Sequence, residues 1–439
     1  MEGDKKTPTP RSLVDLELLL TDAFLIYGSH LLSGRINPET IDSEWFANRR
    51  EADLAEVLQR ALNESRIKEA LQNLLPPQQN YQLMKTALAN YREIESQGKW
   101  PGIPDGFKMQ KGDQSERVAL LRQRLMISGD LDSPASSEPD QFNDDLEQAV
   151  RRFQQRHGLD VDGTVGKETV AALNIPVEGR IRQIILNLER WRWLPQELGY
   201  RHIIVNIANF ELDVFEQNQL TMTMRVIVGR SYRRTPVFSD KMTYLVFNPF
   251  WHVPPGIAVR DILPLARKDS LYLSKQKIKV FKGWGGDAAE IDPKTIKWDS
   301  VSAKNFPYRF RQDPGPNNAL GRVKFMFPNQ FNVYLHDTPA RELFQKTVRG
   351  FSSGCIRIEK PLELAEYVLR GDPKWGREQI IAASDKHLEQ TVRLPEPIPV
   401  HLLYWTAWVG EDGIIHFRKD IYGRDKPLDE ALREAPTGS

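Results

Sequence analysis

The segment "GFSSGCIRIEKP", residues 350–361, holds the single cysteine of a 439-residue chain, Cys355, behind two serines and a glycine and ahead of an arginine. A thiol can attack a carbonyl once it becomes a thiolate, and a neighbouring imidazole or guanidinium favours that anion. Upstream, "FNVYLHDTP" offers candidates for such neighbours. In a strand of period two, Phe331, Val333 and Leu335 take one face, leaving Asn332, Tyr334 and His336 on the other. The same alternation turns Ile356 and Ile358 inward and puts Cys355 and Arg357 together. Two adjacent strands presenting these faces bring thiol, imidazole, phenol and guanidinium into one cleft. That set suits acyl transfer: Cys355 as nucleophile, His336 as proton donor and acceptor, and the backbone N–H groups of "SSGC" as donors to a tetrahedral oxyanion. A free cysteine is also among the most buried residue types, so residue spacing alone leaves filler and nucleophile both open.

Positioning these groups requires strands, and the strands come late in the chain. From "RHIIVNIANFELDVFEQNQLTMTMRVIVG" onward, β-branched and aromatic residues alternate over short runs with "EQNQ" as a turn. Further strands are expected in "MTYLVFNPFWHV", "KFMFPN" and "FNVYLH", and residues 257–310 read as an inserted subdomain containing the glycine-rich "FKGWGGDAAEID". Pro361 opens a helix that Gly371 ends. "PVHLLYWTAWVGEDGIIHFRKDIYG" reads as one hairpin with "GEDG" at its tip.

The preceding half is helical. Leu13, Leu16, Leu20 and Phe24 at spacings of three and four predict an amphipathic helix stopped near Gly34, and further helices follow to about residue 98 with a break at Pro76 and Pro77. Residues 11–112 thus form a helical scaffold, completed by a helix over 176–195. Residues 113–175 form a second helical block with a flexible "DSPASSEPDQ" loop. There His157, ahead of Gly158, is expected to pack or cap a helix, and "DVDG" is read as a turn because the other ligands of a calcium loop are absent.

Composition restricts the function classes. Sixty basic against 59 acidic side chains leave a net charge of +1, which points away from nucleic acid. One cysteine cannot make an intramolecular disulfide. His30, His202 and His387 lack metal-ligand neighbours, and His401 and His416 alternate with apolar residues as structural positions do, so no metal or other cofactor is expected. No stretch reaches the length of an apolar membrane span, and "MEGDKKTPTPR" lacks the core of a signal peptide.

"YLHDTPARELFQKTVRGFSSGCIRI" resembles the active-site signature of the L,D-transpeptidases, the YkuD-type cysteine enzymes of bacterial cell walls. The family pattern maps onto His336, Ser352, Gly354, Cys355 and Arg357; Ser353 stands where many members carry a second histidine. "AVRRFQQRHGLDVDGTVGKETVAAL" resembles a three-helix peptidoglycan-binding module, and "NPFWHVPPGIA" and "FRQDPGPNNALGRVKFMFPN" are similar to the large Gram-negative branch of the family. The resemblance implies a multidomain α+β protein: helical scaffold over 11–112, peptidoglycan-binding domain over 113–175, and a mainly-β catalytic domain over 200–425 with a capping insertion over 257–310.

It further implies a two-step reaction. Cys355 attacks the third residue of a tetrapeptide stem, normally meso-diaminopimelate, expels D-alanine, and the thioester passes to the side-chain amine of another stem. His336 would shuttle protons and the amides of Gly354 and Cys355 would hold the oxyanion. Tyr334, Ser352, Ser353 and Trp251 would face substrate, although Trp251 reads equally as a core aromatic. Arg357 either binds a stem carboxylate or, by preference, orients Tyr334 and the loop. Carbapenem β-lactams would acylate the same cysteine, further cell-wall enzymes would be partners, and the enzyme would work in the periplasm, anchored to the inner membrane through a segment absent from this sequence. Hydrolysis of the thioester, transfer of the stem to a lipoprotein, and a silent wall-binding scaffold are the rival outcomes.

Overall fold

The structure is a computed structural model that describes residues 9–46, 49–132, 138–283 and 288–434. The first eight residues, the middle of the "DSPASSEPDQ" loop and the "WGGD" of the glycine-rich stretch lie outside that set. Two compact units result, Met1–Glu197 with Trp405–Ser439, and Leu198–Tyr404.

The first unit is mainly helical. Its opening helix, Pro10–Ser33, starts where Thr9 accepts the Ser12 N–H at 3.2 Å and proline occupies the first turn, and it ends at Gly34. Burial begins only at Phe24; Leu13, Leu16 and Leu20 are exposed, so the apolar stripe expected along the whole helix packs in its second half alone. Helices Leu54–Asn63, Ile67–Asn73 and Gln79–Ser96 follow, the last two separated at Pro76 and Pro77 as those prolines require. Glu116–Ile127, Asp144–Arg156 and Lys167–Leu173 enclose a core of their own, with Leu121, Leu125, Leu146, Phe153 and Leu173 fully buried. His157 caps the middle helix of these three. Its Nδ1 lies 2.8 Å from the Phe153 carbonyl and its ring stacks on Phe153 at 3.8 Å.

The chain returns to this unit after Tyr404. Asn187 and Gln183, on helix Val177–Arg192, hold the returning segment: the Thr406 N–H donates to Asn187 Oδ1 at 3.0 Å, and Gln183 Nε2 donates to the Thr406 and Arg418 carbonyls at 2.9 Å each. The hairpin around Gly410–Gly413 is therefore the short pair Ala407–Val409 and Ile415–Phe417. The preceding "PVHLL" is part of a long strand of the other unit, so the expected hairpin and the expected catalytic span of 200–425 both divide at Tyr404.

The second unit is a sheet with an insertion. Its strands are β1 (Arg201–Asn206), β2 (Glu211–Glu216), β3 (Gln219–Gly229), β4 (Phe238–Phe247), β5 (Trp251–His252), β6 (Ile278–Lys282), β7 (Glu290–Ile291), β8 (Tyr308–Gln312), β9 (Val323–Met326), β10 (Leu335–His336), β11 (Gly350–Ser352), β12 (Ile356–Ile358) and β13 (Gln390–Leu403). Gln217 and Asn218, both with positive φ, make the two-residue turn that "EQNQ" predicts between β2 and β3. The main sheet runs β11-β3-β12-β10-β9-β4-β13-β1-β2, and β2 pairs again with β3, so the pairing closes on itself.

Strand β3 serves three neighbours in succession. Its first part pairs with β2, Val226 and Ile227 pair antiparallel with β12, and Val228 and Gly229 pair parallel with β11. The Ser353–Cys355 loop is thereby confined between two short strands docked on the end of one long strand. Strands β5 to β8 form a separate four-stranded sheet with its own core, including Val253, Leu263, Val280 and Phe310. This sheet lies where an inserted subdomain is expected and spans Trp251 to Gln312, wider than the expected 257–310 because β5 and β8 pair at its base.

Candidate active site

The nucleophile loop is built from its own backbone. Gly354 has φ of +117°, a conformation that side chains rarely adopt, and this lets the chain reverse between β11 and β12. Ser352 staples the turn: its hydroxyl donates to the Cys355 carbonyl at 2.6 Å and accepts the Gly354 N–H at 3.1 Å. A second layer comes from the connection after β3. Gly229 donates its N–H to Thr235 Oγ1 at 2.9 Å, and that hydroxyl donates to the Gly354 carbonyl at 2.9 Å. A Cβ on Gly229 would stand 2.1 Å from the Arg233 carbonyl, so only glycine permits this approach.

Cys355 is half-buried and carries no disulfide. Its Sγ lies 3.8 Å from the Asn332 carbonyl. Burial pushes the thiol pKa up, while the Tyr334 amide and hydroxyl, then the charges of Lys324 and Arg357, pull the other way. Tyr334 is held in the phenol form by burial first and by the neighbouring Cys355 second. Its ring lies 3.9 Å beneath Lys324 Nζ and 5.6 Å from the His336 ring. Strand pairing explains this grouping. His336 sits opposite Arg357 across the parallel β10/β12 pair and opposite Lys324 across the antiparallel β10/β9 pair.

Among the described residues no hydrogen bond joins His336 to the thiol. Its Nδ1 lies 2.5 Å from the Asp337 carbonyl, and a hydrogen bond to the Leu320 carbonyl also acts on the ring. Burial first, and the Arg357 charge second, push its pKa down to about 3, with the two carbonyls opposing. Burial and the two neighbouring cations thus disfavour an imidazolium at His336 beside the Cys355 loop. The thiol's surroundings are instead a phenol and two cations.

The other expected positions have the following surroundings. The Gly354 N–H, expected at the oxyanion, is taken by Ser352 Oγ, and the turn that requires this is the one that presents the cysteine. Ser352 is 3% exposed and serves the loop rather than the cleft. Ser353 is exposed and accepts a hydrogen bond from Arg233 Nη1 at 2.9 Å. Trp251 packs against the core of the four-stranded sheet, as its reading as a core aromatic expects. Arg357 makes no hydrogen bond to Tyr334 or the loop among the described residues; its Nε is buried without a partner, and burial followed by the Arg230 charge lowers its pKa.

Lys324 is the residue that local pattern did not single out. It is half-buried and its pKa is lowered by burial, with Cys355 and Glu389 opposing. "GRVKFMF" contains the signal, a lysine between core-facing Val323 and Phe325, but only the β9/β10 register says which imidazole and phenol it faces.

Residues 200–375 match the family described as the L,D-transpeptidase catalytic domain. This unit is an L,D-transpeptidase domain. Residues 2–88 match a scaffold domain, and residues 114–173 match a family provisionally described as a peptidoglycan binding domain. The protein is thus a helical region and a peptidoglycan-binding domain joined to a β-rich transpeptidase domain. A Haemophilus influenzae protein provisionally named an L,D-transpeptidase is 36% identical over 252 residues, 57% of this chain and 49% of the relative, so the chain spans about half that relative's length. An N-acetylmuramoyl-L-alanine amidase of Mycobacterium tuberculosis, CwlM, is 39% identical over 80 residues, 17% of this chain and 20% of the amidase. Among solved structures, an L,D-transpeptidase from Stackebrandtia nassauensis covers 69% of this chain and 96% of its own at 12% identity and a TM-score of 0.25. The transpeptidase LdtMt1 in complex with imipenem covers 46% and 59% at 12% identity and a TM-score of 0.22.

Proposed function

We propose that the protein joins peptidoglycan stems through a Cys355 thioester, linking diaminopimelate to diaminopimelate and releasing D-alanine from a tetrapeptide donor. The observation that carries this reading is the surroundings of Cys355: a half-buried thiol on a stapled turn, with the Tyr334 hydroxyl, Lys324 and Arg357 acting on its sulfur. Lys324 and Arg357 favour the thiolate, which attacks the carbonyl of the third stem residue. The Cys355 N–H and the Tyr334 phenol serve as donors to the oxyanion. The proton lost by the thiol ends on the departing D-alanine amine. In the second step the acceptor amine attacks the thioester, loses a proton, and regenerates the thiol.

His336 relays these protons after its ring turns away from a backbone carbonyl, so its basicity becomes available only with substrate in place. The unpartnered Nε of Arg357 supports carboxylate binding over an orienting role. β-Lactams of the carbapenem class acylate the same sulfur. The enzyme works outside the cytoplasm, in the periplasm, where its peptidoglycan-binding domain holds it on the wall. Inner-membrane anchoring belongs to this proposal as well. Among the described residues no helix is long and apolar enough to cross a membrane.

Incubation with purified disaccharide-tetrapeptide, followed by mass spectrometry of products, tests the reading. Dimers lighter by one D-alanine are expected. Tripeptide alone would assign the chain to hydrolysis.

A further inference from the structure

Three side chains from separate stretches of the transpeptidase domain meet beside the Cys355 loop. Arg233 lies in the connection between β3 and β4. Its Nη1 donates to Ser353 Oγ at 2.9 Å and to Asp261 Oδ2, and its Nη2 donates to Asp261 Oδ1 at 2.8 Å. Asp261 belongs to the capping insertion, in the widened π-helical turn Ala258–Ile262. Such turns recur at functional sites. Ser353 stands two residues before Cys355. The fork-to-carboxylate geometry fixes direction as well as distance, with the Arg233 side chain 14% and the Asp261 side chain 33% exposed, so it is the geometry rather than the charge that carries the contact.

The base from which Arg233 reaches is itself tied to the loop. The Arg230 N–H donates to the Ser352 carbonyl at 3.1 Å, and Thr235 holds the Gly354 carbonyl. Arg233 therefore extends a rigid attachment outward to the cap.

We propose that Arg233 is a positioning residue that latches the cap, through Asp261, to the nucleophile loop, through Ser353, and so sets the arrangement in which Cys355 is acylated. The proposal rests on the reading of Cys355 as nucleophile. It places the attachment of the cap and the aim of the sulfur under one guanidinium.

The test is a double-mutant cycle on the full chain, with imipenem as probe and the mass of the Cys355 adduct followed over time. Asp261→Asn is expected to lower the second-order acylation rate about tenfold and Ser353→Ala about threefold. The double variant should fall no further than Asp261→Asn, since both contacts act through Arg233. Melting temperatures should stay within about 2 °C of wild type, which separates positioning from folding. Arg233→Lys, which keeps the charge but loses the fork, should match Asp261→Asn, and Asp261→Glu should retain most of the rate. Acylation of Asp261→Asn and Arg233→Lys at the wild-type rate, or losses that multiply in the double variant, would overturn the latch. Wild-type protein left unmodified at Cys355 would overturn the nucleophile reading itself, and the latch with it.

Discussion

At the scale of single residues, the site is electrostatic before it is acid–base. Burial raises the Cys355 pKa, and the groups that oppose it are Tyr334, Lys324 and Arg357 rather than an imidazole. Since His336 is held neutral down to about pH 3 in the free protein, no titration of that ring should govern the second-order acylation rate between pH 5 and 8. The imipenem acylation rate should rise smoothly into the alkaline range as the thiol ionises. Lys324→Met removes a cation that favours the thiolate, so its pH profile should move to higher pH, with roughly a three- to tenfold loss at pH 7. An inflection near pH 6.5, or a profile unmoved by Lys324→Met, would contradict this account. Strand alternation made Tyr334, Cys355 and Arg357 legible from sequence as one cluster. It also placed His336 on their face, but could not show that backbone carbonyls of Asp337 and Leu320 claim the ring, because those contacts depend on loop geometry.

At the scale of elements, the β11–β12 turn is fixed by hydrogen bonds from Ser352, Thr235 and Arg230. Ser352 makes two of them from a buried position. Ser352→Ala should lower stability by about 1–2 kcal/mol and reduce acylation together, because the freed Gly354 N–H and Cys355 carbonyl lose their partner. Chemical denaturation alongside the imipenem assay checks both, and unchanged acylation would show that the staple does not aim the sulfur. The sequence pattern suggested a loop of small residues open to substrate. What it could not reveal is that one of those serines serves the turn and the other the latch, since Arg233, Asp261 and Thr235 lie far from it along the chain. Lys324 escaped for the same reason, its role being defined across the β9/β10 pair.

At the scale of the whole molecule, the helices of the first half and most strands were readable from periodicity and from Gly and Pro positions, while the helices Arg377–Ser384 and Asp425–Arg433 and the division at Tyr404 were not. Nothing in "LLYWTAW" distinguishes a strand that ends from one that continues; the partners Asn187 and Gln183 decide it. Buried neutral histidines give the transpeptidase domain a stability that depends on pH. His336 and His401 have pKa values of about 3 and about 4, each lowered chiefly by burial. The unfolded chain binds these protons near pH ~6.5, whereas the folded domain refuses them until far lower, so stability falls as pH falls. Each should remove about 2 kcal/mol by pH 5, above the range where carboxylates begin to protonate. A melting temperature that declines between pH 7 and 5 is expected, and one that stays flat would mean that these rings are solvated.

The central claim is that Cys355 forms the thioester. Rapid quenching of the protein with disaccharide-tetrapeptide, intact-mass measurement and peptide mapping test it most directly. The account predicts a mass gain equal to the substrate less one D-alanine, located on Cys355 and absent from a Cys355→Ala variant that keeps the wild-type melting temperature. A gain that persists in that variant, or dimer formation by it, would contradict the account.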